Sequence, residues 1–178
     1  MNNDALLPEV LPHVPGCSDP LAETAIRNSV IEFCQQSHAW QENLAPIVPE
    51  ADVKEYDLNL PTGAALVLVL DETEMEVDLA KKTVIFAEVP AGSITLRVAL
   101  KPARAADSFP DHIGEQYGEA IVSGALAKLM MMTGKPWANP QLAEYHGRIV
   151  SDAISRARAR EFRGYTNRSM RIDAVRFI

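Results

Sequence analysis

Ala22, Ile26, Ser29/Val30, Phe33 and Ser37/Trp40 recur at steps of 3.6 residues. That spacing predicts an amphipathic helix over roughly 20–40. Asp19-Pro20 supplies its start, an N-cap carboxylate followed by proline at the first helical position. Upstream, Pro8, Pro12 and Pro15 predict an extended or turned opening rather than a helix between Leu6 and Gly16.

The period then changes to two. Tyr56, Leu58 and Leu60 alternate with polar residues, as do Met75, Val77 and Leu79, and then Ile94, Leu96, Val98 and Leu100. Half-buried antiparallel strands have this pattern. Ala64–Leu70 and Val84–Val89 are continuous apolar runs, read as more deeply buried strands. Pro61-Thr62-Gly63, Asp71-Glu72 and Pro90-Ala91-Gly92 supply turns between them. Residues 44–106 are therefore expected to form a small β-meander of about four or five strands, inserted as a sandwich or barrel half.

Helix is predicted again from His112 to Met132, apolar almost all round and ending in three consecutive methionines. A helix without a wet face is buried on several sides, by its own domain or by neighbouring subunits. Gly134 and Pro136 terminate it. Asn139-Pro140 repeats the cap-plus-proline start, and Leu142, Tyr145, Ile149 and Ala153 are expected to line the packed face of a helix running to Phe162. After Gly164, the tail Tyr165–Ile178 alternates Met170, Ile172, Val175 and Phe177 with arginines, apart from one slip, which suits an extended arm. The expected fold class is α+β: three main helices in a small bundle, an inserted β subdomain and a C-terminal arm. Its 178 residues support one domain.

Composition narrows the class. With 47% hydrophobic and 23% charged residues, collagen-like, disulfide-rich and wholly disordered chains are excluded. No apolar run reaches the roughly 18–20 residues of a membrane span, and no secretory signal is expected from the N-terminal pattern. Cys17 and Cys34 make no disulfide framework and have no metal spacing, so a reducing cytoplasm, or an assembly built there, is expected. Cys34 lies beside the apolar stripe of the first helix, as a buried inert thiol would.

The net charge of -7 is divided unevenly: residues 1–100 hold five basic and sixteen acidic side chains, and residues 101–178 hold twelve and eight. A chain split this way can meet copies of itself head to side. Its overall acidity argues against wrapping nucleic acid.

Candidate chemistry is sparse. His112 and Glu115 reverse the Glu-x-x-His order of di-iron bundles, and Glu144 and His146 cannot share a helix face, so no metal is expected. Neither a nucleophile elbow nor a phosphate loop is present; Gly134-Lys135 reads as a helix C-cap. No catalytic residue and no cofactor are expected. Glu72, Glu74, Glu76 and Asp78 lack EF-hand spacing and read as the solvated or lumen-facing side of a strand. Arg156, Arg158 and Arg160 alternate with alanines and fan around their helix; with Arg163 they are candidates for an ionic subunit joint.

Leu11-Pro12-His13-Val14-Pro15-Gly16-Cys17 and Ala22–Cys34 resemble the first helix of the head-to-tail adaptor (connector or neck) proteins of tailed bacteriophages. Ala125–Pro140, with Met130-Met131-Met132-Thr133-Gly134-Lys135-Pro136-Trp137, is similar to their second helix and following turn. Asn167–Ile172 and Arg176–Ile178 are similar to their basic C-terminal arm. The resemblance covers most of the chain outside the β insertion and rests on structural motifs. It implies a non-enzymatic virion subunit of the neck, assembled in the host bacterial cytoplasm. Such adaptors stack under the portal protein in about twelve copies about a cyclic axis, extend the DNA channel and receive the next tail or stopper component. Tyr165, Arg168, Met170, Arg171, Ile172, Arg176, Phe177 and Ile178 then become a portal-docking arm. Glu72, Glu74, Glu76 and Asp78 become channel-facing acids that keep passing DNA from sticking. The apolar third-quarter helix, expected to need more burial than the chain supplies alone, would fit a ring. Two alternatives stand beside this one: a nucleic-acid-binding module using Arg156–Arg176, and a stopper or tail-completion ring. An enzyme with an unrecognised site would instead need a deep polar pocket with perturbed ionisable groups.

Overall fold

The computed structural model describes residues 1–50, 53–70, 75–88 and 92–163, with residues 162 and 163 as backbone only. It is an α+β structure with two small antiparallel sheets.

The opening is helical, contrary to the extended segment its prolines suggest. A 3-10 turn over Asn3–Leu6 leads into α1 (Leu7–Val10) and a second 3-10 turn over Leu11–His13. Pro8 and Pro12 each stand in the first turn of their own short helix. There the missing N–H has no intrahelical partner to lose. Val10 and Val14 are fully buried, which anchors the segment.

In α2 (Asp19–Ser37), Ser18 is the N-cap, with Pro20 in the first turn. Its buried stripe is Ala22, Ala25, Ile26, Ser29, Val30, Phe33, Cys34 and Ser37. The helix stops before Trp40 because His38 turns left-handed (φ 56°) and donates its N–H to the Cys34 carbonyl. Trp40 therefore begins a strand, where the helical period had continued through it.

That strand, β1 (Trp40–Asn43), joins β6 (Arg97–Pro102) and β3 (Ala64–Val69) in a sheet of order β1-β6-β3. Trp40 stands opposite Leu100, and Leu66 opposite Leu100 on the other side. Val98, Ala99 and Leu100 of the central strand have no exposed surface. The second sheet has order β2-β5-β4, from Glu55–Asp57, Thr83–Phe86 and Met75–Asp78. Val84 and Phe86 bury its inner face, and Tyr56 meets Phe86 edge-on at 5.9 Å. Each of the five predicted strand regions contains a strand, and β1 is the additional one; Leu58, Leu60, Ile94 and Leu96, expected on strands, lie outside them. Leu79, expected on a strand, lies in the turn between β4 and β5. Pro61–Gly63 turns as expected, with Ala64 N–H bonded to Pro61 O at 3.1 Å and Gly63 at φ +76°. Asp71-Glu72 and Pro90-Ala91 lie outside the described residues.

The central helix α3 (Asp111–Met130) packs against α2 on one side and α4 (Pro140–Arg163) on another. Twelve of its residues, from Ile113 to Met130, are buried by the chain itself. The expectation that it needs neighbouring subunits for burial is thus corrected: two helices and the N-terminal turns suffice. Phe33 of α2 and Tyr117 of α3 stack at 4.8 Å. Ser29 bonds from its hydroxyl to Ile121 O at 2.8 Å, and Gly124 lets α2 and α3 approach there.

Asn139 caps α4 through its side chain, accepting Leu142 N–H at 3.1 Å, as its sequence predicts. The packed face differs from the expected one. Leu142 and Tyr145 are exposed, while Ala143, Ile154 and Ala157 are buried and Val150 is half-buried. Alanines let α4 settle close to α3, and that rotates the two larger side chains outward.

Candidate interaction surface

Only one flank of α4 is covered, so most of its 24 residues face outward. The arginines on it have different tasks. Arg148 pairs with Glu144 at 2.6 Å, and Arg156 pairs with Asp152, both one turn apart on the exposed side. Such pairs each contribute a few tenths of a kcal/mol, about 0.3–0.5. Arg158 reaches inward instead: its Nε donates to Gln36 O at 2.8 Å, joined by Nη2. Gln36 is in the last turn of α2, where unpaired carbonyls concentrate partial negative charge, so Arg158 closes the end of α2 from α4.

Removing that clamp has two readable consequences. Arg158→Ala is expected to cost about 1 kcal/mol, since the bond is partly exposed to water. Burial first, and then the Arg158 charge, hold His38 below the usual imidazole value. His38 should therefore titrate at higher pH in Arg158→Ala, seen by NMR, and an unchanged His38 would mean the guanidinium is not seated there in solution.

Arg160 stands beside Tyr117, at a groove between α3 and α4. Burial pushes the Tyr117 phenol up, partly opposed by the Arg160 charge. Arg163 is the last residue of α4, and its side chain lies outside the described residues. Of the four arginines proposed as one joint, Arg156, Arg158 and Arg160 are thus spread around the helix, as their spacing implied. The arm residues Tyr165, Arg168, Met170, Arg171, Ile172, Arg176, Phe177 and Ile178 lie outside the described residues.

Glu72 and Glu74 also lie outside them, whereas Glu76 is exposed on β4 opposite Ile85. Asp78 has a local task. Its Oδ1 accepts Ala80 N–H at 2.9 Å and Lys81 N–H at 3.0 Å, and Lys81 Nζ lies 3.7 Å from Oδ2. These bonds, that from the Lys81 amide foremost, hold the carboxyl below the usual range. Asp78 therefore anchors the β4–β5 turn.

A polar cleft that no sequence motif announces opens where α2, β6 and α4 converge. Ser37, His38, Gln41, Leu70, Arg97, Arg158 and Glu161 line about 210 Å³ of it. It continues past Glu42 and Asn43 to His112 at the start of α3. Residues from five elements meet here, so no local spacing marks the cleft.

Cys34 is buried, and burial pushes its thiol up to about 12, while Cys17 is half-buried. Because the thiolate is the nucleophile, Cys34 should resist iodoacetamide at pH 8 until the chain unfolds. Mass spectrometry that finds Cys34 modified as fast as Cys17 in the folded protein would contradict this. The shift also carries a stability slope. Above about pH 9 an unfolded Cys34 releases its proton while the folded one holds it, so stability falls from there toward pH 12.

Among the described residues, no group of three or more His, Cys, Asp or Glu side chains is placed to hold a metal ion. No described helix is long and apolar enough to cross a membrane. The chain matches no protein-family model and no curated protein.

Proposed function

We infer that the chain is a ring-forming head-to-tail adaptor of a tailed bacteriophage, docking under the portal, extending the DNA channel and offering a platform for the tail. The observation that carries this reading is the placement of α4. It is an outer helix, buried at Ala143, Ile154 and Ala157, and it runs directly into the basic stretch 164–178. A helix of 24 residues spans about 36 Å. The motif resemblance along α2, along the α3–α4 turn and in the basic tail supports the same reading. So does the charge division, acidic before residue 100 and basic after it, which suits a side-to-side contact between copies. On this reading the fold is a three-helix bundle with residues 44–106 as an inserted β subdomain and 165–178 as the docking arm.

Deleting Tyr165–Ile178 tests it by electron microscopy on DNA-filled, tailless capsids. The full-length chain is expected to add a ring at the portal vertex and the truncated chain to add none. Binding by both would move the docking contact into the helices and end the arm assignment. Binding by neither would remove the adaptor reading, and salt-sensitive binding to duplex DNA would then favour the nucleic-acid module.

A further inference from the structure

The groove between α3 and α4 has donors without an acceptor. Tyr117 is only 9% exposed, and its enclosed hydroxyl has the Arg160 guanidinium, itself a donor, beside it and no acceptor for its own proton among the described residues. A buried hydroxyl left this way costs on the order of 1–3 kcal/mol unless something bonds to it. Arg160 is the charge that acts on it most strongly. Arg160 itself has no carboxylate partner among the described residues, unlike Arg148 and Arg156, which are paired on their own helix. Arg156 and Gln116 stand at the rim, and Ala120, Ile149 and Ala153 supply an apolar wall around about 230 Å³.

We propose that this groove is an acceptor site completed by a carboxylate from the acidic β region of a second copy of the chain. The proposal rests on the ring reading and names the contact that holds neighbouring copies together. A guanidinium beside a phenol hydroxyl matches a carboxylate, whose two oxygens can take one bond from each. The charge division names the source: sixteen acidic side chains lie before residue 101, and Glu76 is exposed on β4 with no partner among the described residues. A nucleic-acid backbone fits less well, because a run of phosphates along α4 would meet Glu119 at the rim and Glu144 and Asp152 on the outer face. A single side-chain carboxylate entering between Arg156 and Arg160 avoids them.

Two measurements decide it. The first is ring formation on capsids by Arg160→Glu, with Arg148→Glu as a control of equal charge change on the same helix. Arg160→Glu is expected to lower ring occupancy about tenfold or more. Arg148→Glu should leave it near the wild-type level, and Tyr117→Phe should fall between them. Equal losses for the two reversals, or no loss for either, would overturn the groove contact while leaving the ring standing.

The second is zero-length carbodiimide coupling of the concentrated full-length Arg160→Lys variant, which keeps the charge and supplies a reactive amine. An intermolecular link from position 160 to a carboxylate within residues 50–88 is expected. Links only to Glu119 or Glu161 of the same chain, or none, would overturn the proposal. This measurement needs no capsid. A link found where the wild type builds no ring would uphold the acceptor site and reject the adaptor. Duplex DNA binding lost in Arg160→Glu, without any intermolecular link, would assign the groove to phosphate instead.

Discussion

Phe33→Ala is expected to remove about 3–5 kcal/mol of folding stability, the range for deleting a large buried ring. The side chain is 1% exposed and sits on the α2 stripe against Tyr117 of α3, with ring centroids 4.8 Å apart. Truncation loses the transfer free energy of the ring and its contact with Tyr117. It also leaves a hole that helices joined through Ile26, Ile121 and Leu126 cannot readily close. Domains have only about 5–15 kcal/mol in total, so the variant should stand near the edge of folding. Urea titration followed by circular dichroism measures this, with Phe33→Leu expected to lose less than half as much. A loss below about 1 kcal/mol would mean that α2 and α3 are not packed through this ring.

The second large effect concerns Gly124, where an added side chain should harm although a Cβ at some other helical glycines should help. A Cβ at Gly124 would run into the Ser29 hydroxyl and approach Ser29 Cβ to 3.2 Å, with Val150 Cγ2 at 3.5 Å. Three helices meet there, so no neighbour moves freely, and displacing Ser29 breaks its bond to Ile121 O. Gly124→Val is expected to cost about 3 kcal/mol through overpacking. Gly118 and Gly147 are also helical, but a Cβ at either meets nothing within 4 Å. Gly118→Ala and Gly147→Ala should therefore stabilise the protein by up to about 1 kcal/mol, the helix-propensity gain. A double-mutant cycle assigns the cause. In a Ser29→Ala background the Gly124→Val penalty should shrink by about 1 kcal/mol or more. Strict additivity would show that the collision with Ser29 is not what sets the cost.

Much of the site was only half legible. The fan of Arg156, Arg158 and Arg160 follows from alternate spacing on a helix, but their partners do not. Arg158 finds Gln36 O across 122 residues, and Arg160 finds Tyr117 on another helix. The acidic run was read as one surface. Within it Asp78 bonds the turn amides, a role its neighbour Lys81 and the turn geometry create together.

The sequence alone determined what short-range physics controls. Pro20 and the Asn139 cap before Pro140 start helices, because orphan amides and fixed φ act within one turn, although the cap of α2 falls on Ser18 and not on Asp19. Period-two alternation marks strands, because side chains change face at every residue. The burial of Cys34 follows from its place beside an apolar stripe. Tertiary structure decided which surfaces meet. The pairing of Trp40 with Leu100, the rotation of α4 that exposes Tyr145, and the burial of α3 by its own chain all depend on contacts distant in sequence. A hydrophobic period says that a face will be covered. What covers it is set by the fit and free energy of two faces brought together, and neither face encodes that by itself.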